Sequence, residues 1–171
     1  MTTGQIELLS KGVGGATPDA SCVRPSVSTD GHRVIFESSA TNLVPNDDNN
    51  SNDVFVYDRT HDVTLRISEN PSGMGVNDVA FAEAISEDGR FVAFSTFATN
   101  IPGGELNGRI LDLFIRDLQA GTTRLVSVGV DGVAADGGSG LGASLSADGR
   151  YCAFVSAATN LVTRNSRHTG R

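Results

Sequence analysis

The residues best suited to chemistry stand together in one stretch, Asn46-Asp47-Asp48-Asn49-Asn50-Ser51-Asn52-Asp53, with three carboxylates and several amide oxygens in eight residues. Hard cations such as Ca²⁺ take oxygen ligands of this kind, and Asp48, Asn50 and Asn52 have the alternate spacing that turns successive side chains toward one ion. Asp47 and Asp53 would complete the shell. The stretch is not an EF-hand, because Asp53 stands where a glycine is expected after the third ligand. The competing reading is a solvated polar turn whose Asp and Asn side chains bond their own backbone.

Other motifs offer less. Gly138-Ser139-Gly140-Leu141-Gly142-Ala143 fits G-x-G-x-x-A, but phosphate cradling needs a strand before it and a helix after it, so the segment reads as a flexible loop. His32, His61 and His168 have no metal-type spacing, and no G-x-S-x-G elbow is present. Cys22 and Cys152 form no CxxC pair and read as independent thiols, Cys152 filling the place of a buried valine. No catalytic residue is assigned, and calcium is the sole cofactor candidate.

The elements that must position these residues come from an internal repeat. SVSTDGHRVIFESSATNLVP begins at Ser26, AISEDGRFVAFSTFATNIPG at Ala84 and SLSADGRYCAFVSAATNLVT at Ser144. DVFVYD from Asp53 returns as DLFIRD from Asp112, TLRIS from Thr64 as TRLVS from Thr123, and IELLS from Ile6 matches that last block. Short apolar runs separated by turn chemistry predict four strands per unit, A to D. Asp30-Gly31, Asp88-Gly89 and Asp148-Gly149 are expected to make two-residue A–B hairpin turns, with Ser28, Ser86 and Ser146 bonding the local backbone. Asp58 and Asp117 are expected to organise the C–D turns, with Arg59 or Arg116 as partners. Strand B is apolar on both sides, so each sheet needs a neighbour on each face, and radial stacking of such sheets makes a β-propeller.

The S-x-D-G turn followed by Arg or His, the A-T-N-L or A-T-N-I block and the DVFVYD and DLFIRD strands resemble the repeats of TolB-like propellers, also called WD40-like or PD40 repeats. The resemblance covers nearly the whole chain. It implies an all-β fold, a partial β-propeller of four-stranded antiparallel blades. Residues 1–20 would be the D strand of a preceding blade and a D–A loop, 21–68 blade 1, and 69–127 a D–A loop and blade 2. Residues 128–162 would be a D–A loop and the A and B strands of blade 3. The tail, 163–171, is basic and out of register with the repeat, either a basic terminus or a reading frame cut short. The resemblance also suggests a periplasmic or extracellular setting, although Met1 to Ser10 shows no secretion signal.

Composition excludes more than it assigns. The 171 residues allow one domain, and a net charge of −7 disfavours a phosphate-binding surface, so nucleic acid is not an expected partner. No apolar run approaches the roughly 18 residues of a membrane span. Arginine outnumbers lysine twelve to one, the bias of a GC-rich, bacterial genome. The B–C and D–A connections are long and fall on one face, where binding residues concentrate. The expected function is therefore a non-catalytic scaffold whose acidic long-loop face meets a protein or peptide, basic in character, through Asp47, Asp48, Asp78, Glu105, Asp131 and Asp136. The alternative is a piece of a propeller enzyme, a calcium-dependent hydrolase, lyase or sugar-processing activity. Two or more chains could also pool their blades as a homo-oligomer.

Overall fold

The structure, a computed structural model, describes residue 4 and residues 6–104 and 108–163. Two sheets of four antiparallel strands follow one another: β1 (Cys22–Val27), β2 (Arg33–Ser38), β3 (Asp53–Asp58) and β4 (Val63–Arg66), then β5 (Ala80–Ile85), β6 (Phe91–Thr96), β7 (Asp112–Asp117) and β8 (Thr122–Leu125). A two-stranded sheet, β9 (Ser144–Leu145) with β10 (Cys152–Ala153), begins a third unit. Each sheet is an up-and-down meander with sequential order, and the chain is a partial β-propeller.

The central strands form where the sequence alternates β-branched and aromatic residues, and register brings like residues together. Phe36 pairs with Phe55 and Phe94 with Phe114, their rings stacked at 5.7 and 5.6 Å. Both faces of these strands are buried: β3 is covered along its whole length and β6 along all but its first residue. The blade 1–blade 2 seam is one apolar cluster in which Ile35, Val54 and Val56 meet Val92, Phe94 and Phe114. A second cluster joins Ala93, Leu113 and Ile115 to Leu145 and Phe154 of the third unit.

The A–B turns differ from the expected two-residue hairpins. Strand pairing closes at Ser28–Arg33, Ser86–Phe91 and Ser146–Tyr151, leaving four-residue loops in which glycine takes the positive φ (Gly31 71°, Gly89 71°, Gly149 66°) and the aspartate does not. The serine explains the longer loop. Ser28 Oγ donates to Asp30 Oδ1 at 2.6 Å and accepts from Arg33 N at 3.0 Å, and Ser86 and Ser146 repeat both bonds. A side-chain bracket replaces the tighter turn.

The D strand expected at Ile6–Ser10 does not form. A D strand needs a C strand beside it, as β4 has β3, and no described strand lies alongside residues 6–10. The loop after it does take the repeated shape. Gly12 N donates to Ala16 O at 2.7 Å, as Asn70 N does to Met74 O (2.8 Å) and Gly129 N to Val133 O (2.7 Å). Of the tail, residues 164–171, with His168, lie outside the described residues.

Candidate functional site

The 46–53 stretch folds as the B–C connection of blade 1, and its oxygens turn to separate partners. Asp47 Oδ1 accepts from Arg66 Nη1 at 3.0 Å in a buried ion pair. Asp53 is fully buried, its Oδ1 accepting from Ser68 Oγ at 2.5 Å and its Oδ2 from Asn49 Nδ2 at 2.8 Å. Asn52 Nδ2 donates to Ala80 O and Glu37 Oε2, while Asp48 and Asn50 are exposed. Asp47, Asn52 and Asp53 are thus each engaged within the chain. Among the described residues, no group of three or more His, Cys, Asp or Glu side chains could hold a metal ion.

Burial pushes the Asp53 carboxyl up to about 6, against the opposing pull of its Ser68 and Asn49 hydrogen bonds. Its repeat mate Asp112 accepts from Ser127 Oγ at 2.9 Å. Ser68 and Ser127 in turn accept from Val54 N and Leu113 N, so each Asp–Ser pair fastens strand D to the start of strand C. Asp58 and Asp117 do organise the C–D turns, accepting from Thr60 N and Gln119 N. Their cations are Arg33 (3.3 Å) and Arg90 (2.7 Å) rather than the expected Arg59 and Arg116, which reach Glu7 and Glu69. The Arg90 hydrogen bond holds Asp117 down to about 2.

The acids expected to face a ligand are also engaged within the chain. Asp131 accepts from Val133 N in its own turn. Asp136 accepts from both Thr159 N and Thr159 Oγ1 at 2.6 Å, and the Thr159 hydroxyl lowers its pKa. Glu105 lies outside the described residues. The Asp136 contact is one copy of a latch: Asp19 accepts from Thr41 N and Oγ1 in the same way, and Asn77 accepts from Thr99 N but donates through Nδ2 to Thr99 Oγ1. Asn42, Asn100 and Asn160 complete it by accepting from the backbone N–H of Asp19, Asn77 and Asp136. The recurrent Thr-Asn pair thus clamps each D–A loop to the B–C loop that follows.

Two glutamates unmarked by the repeat stitch the blades together near the A strands. Glu37 Oε1 on β2 accepts from Ala82 N of blade 2 at 2.8 Å. Glu83, at the bulge of β5, reaches the third unit, where Leu141 N, Gly142 N and Ala143 N donate to its carboxylate at 2.6, 2.7 and 3.1 Å. The Gly138–Ala143 segment is therefore a backbone nest around an anion, not merely a flexible loop. Positive φ at Leu141 (53°) and Gly142 (133°) turns the amides inward, and a side chain at Gly140 would meet Ser95 Cβ at 2.7 Å. Burial opposes ionisation of Glu83, but the Ser95 hydroxyl and these amides outweigh it and lower its pKa.

The long-loop face has one cleft at the blade 1–blade 2 seam where different chemistries meet. Its volume is about 320 Å³, and Ser51, Asn77, Asp78, Phe97, Thr99 and Arg109 line it. Asp78 caps Val79 N and pairs with Arg109, whose side chain is 74% exposed. Phe97 meets Phe81 edge-on at 6.5 Å, and Arg24 lies over the far ring at 5.9 Å. Asp78 is the one described member of the expected ligand face that stands in a cleft beside an aromatic ring.

No known family profile matches the chain, and no curated protein sequence matches it. Solved structures do. The chain is similar in fold to a TolB from Agrobacterium tumefaciens, at 16% identity and a TM-score of 0.51 over 86% of this chain and 41% of that one. It also matches the β-propeller domain of the Trilobed protease from Pyrococcus furiosus, described as having an open velcro topology, at 17% identity and a TM-score of 0.49 over 82% of this chain and 35% of that one. The chain thus spans less than half the length of either match, and the first likeness shows a β-propeller fold.

Proposed function

We propose that the chain is a recognition scaffold whose long-loop face holds a peptide or protein segment at the blade 1–blade 2 seam. The observation that carries this reading is the Asp78–Phe97 cleft: a carboxylate just before β5, whose guanidinium partner is mostly in water, lies beside an aromatic ring just after β6. A basic side chain of the ligand can exchange with Arg109 at Asp78, because an exposed ion pair contributes little and is readily replaced. An apolar neighbour can then rest on Phe97. The other acids add a negative field but few free contacts, since Asp47, Asp131 and Asp136 already bond the chain itself.

Panning a random peptide library on the immobilised chain tests this, with the variants Asp78→Asn and Phe97→Ala as counter-targets. Asn at 78 can still cap Val79 N, so the fold is retained while the charge is lost. Enrichment of basic, apolar peptides whose binding falls tenfold or more on both variants, on the order expected for one lost charge-assisted contact, supports the site. Enriched peptides that bind both variants as well as the parent would remove it.

A further inference from the structure

One guanidinium at the blade 1–blade 2 seam is not part of the repeat. Arg24 lies in β1, where the corresponding place of blade 2 holds Ala82. β1 is bulged between Val23 and Ser26, and within the bulge Arg24 takes a φ of 51°, a left-handed backbone that residues other than Gly and Asn rarely adopt. A bulge re-aims a side chain out of strict alternation. Here it carries the guanidinium across to blade 2, where Cζ stands 5.9 Å from the centre of the Phe81 ring on β5.

The contacts of Arg24 within the chain leave it able to take another. Its Nη1 reaches Glu37 Oε1 at 3.4 Å, while that same oxygen accepts from Ala82 N at 2.8 Å and Oε2 accepts from Asn52 Nδ2 at 3.2 Å. Glu37 is buried and satisfied by these bonds, so it holds Arg24 loosely, and the Arg24 side chain is 59% exposed. The guanidinium stands at a seam with both of its blades present, not on the outer flank of the first.

Arg24, Phe81, Phe97 and Asp78 follow one another along this seam. Phe81 and Phe97 meet edge-on at 6.5 Å, which puts Arg24 Cζ within about 12 Å of the Phe97 ring, and Phe97 lines one cleft with Asp78. The order is cation, aromatic pair, anion. An extended peptide rises about 3.3 Å per residue, so about four residues bridge the aromatic pair.

We infer that the segment held at this seam carries both signs of charge: a basic residue for Asp78, apolar residues for Phe97 and Phe81, and a carboxylate about three to five residues from the basic one for Arg24. This rests on the reading of the Asp78–Phe97 cleft given above and gives its ligand a second charged contact. A guanidinium is a planar fork that takes a carboxylate in two parallel hydrogen bonds. A segment with basic residues only is disfavoured, because its second cation would meet Arg24. The carboxylate is an Asp or Glu side chain or the free C-terminus of the partner.

Panning two random peptide libraries on the full chain, one randomised internally and one ending in a free C-terminus, tests this beside the variants Arg24→Gln, Asp78→Asn and Phe97→Ala. Arg24 makes one long hydrogen bond within the chain, so circular dichroism and melting of Arg24→Gln should match the parent. The parent should enrich peptides with a basic residue, apolar residues and a carboxylate at that spacing; the internal library finds it as Asp or Glu, and enrichment in the other library alone marks a terminal carboxylate. Arg24→Gln should keep the basic and apolar preference and lose the acidic one, whereas Asp78→Asn should lose the basic one. In synthetic copies, changing the carboxylate to its amide should weaken binding to the parent about tenfold or more and to Arg24→Gln by less than about twofold. An acidic preference that survives Arg24→Gln, or basic, apolar peptides enriched with no acidic preference, would overturn this inference and leave the Asp78–Phe97 site standing. No enrichment, or enrichment indifferent to Asp78→Asn and Phe97→Ala, would remove that site and this inference with it.

Discussion

The carboxylate of Glu83 on β5 accepts a 2.7 Å hydrogen bond from the backbone N–H of Gly142, 59 residues further along the chain. This contact and its two neighbours attach the short third unit to a complete blade. The unit's own strands are only two residues long, so its position depends on such attachments more than on its own ladder.

Replacing Glu83 with alanine should therefore loosen the third unit before it disturbs the first two. We expect a stability loss of about 1–2 kcal/mol by urea unfolding, the low end for bonds to a charged group because the loop is solvated. Hydrogen exchange should show amides 141–143 losing protection while those of β2 and β3 keep theirs. The pH dependence follows from the lowered pKa: the stabilisation is complete above the ordinary carboxylate range and is lost as pH falls through the folded value.

Asp53 should behave in the opposite sense. Its folded pKa, raised by burial to about 6 from 3.8, means that the folded state binds the proton more tightly than the unfolded chain. Stability from this group rises as pH is lowered through 6 toward 4 and is least at neutral pH. Thermal melts between pH 5 and pH 8 should show that slope in the parent and a flatter one in Asp53→Asn. Asp53→Ala should instead cost about 2 kcal/mol near neutral pH, because Ser68 Oγ and Asn49 Nδ2 lose their acceptor in a buried place, and more as pH is lowered through 6.

The Thr-Asn latch gives a third expectation. Asn100 accepts from Asn77 N through its Oδ1 and donates to Gly75 O through its Nδ2, so Asn100→Ala removes two bonds from a half-buried loop. A loss of about 1–2 kcal/mol in urea unfolding is expected. Asn77→Asp should be nearly silent, because Asp19 and Asp136 already fill that position in the other two copies.

Calorimetric titration of Ca²⁺ is expected to show no saturable heat at neutral pH. Asp47 is committed to Arg66 and Asp53 to Ser68, which leaves Asp48 as the one free carboxylate of the 46–53 loop. A stoichiometric binding isotherm that vanishes in Asp48→Asn would show that the loop rearranges around the ion.

The blades were legible because their signals are local. Ser, Asp and Gly sit within one turn, and the alternation that makes β2 and β6 double-sided lies within six residues. The latch was half legible: Thr41, Thr99 and Thr159 repeat identically, but their partners read Asp19, Asn77 and Asp136, and in the second copy the acid, Asp78, stands beside the true partner. Glu37 and Glu83 were not legible. One lies on strand B and the other at a bulge of strand A, so no alignment of repeats brings them together although both stitch a seam. In the acidic stretch composition counts oxygens without showing which are already bonded: Arg66 and Ser68 claim theirs from 15–19 residues away.

At each seam the glutamate is answered by peptide amides: Ala82 in one case, and Leu141, Gly142 and Ala143 in the other. Every residue type but proline carries that donor. At these bonds the receiving module is recognised through its backbone, so its side chains there can change wherever the backbone shape and the apolar packing of the seam are kept. Duplication followed by divergence meets little resistance in such a joint, and modules from distant copies should remain interchangeable long after their sequences have ceased to look alike.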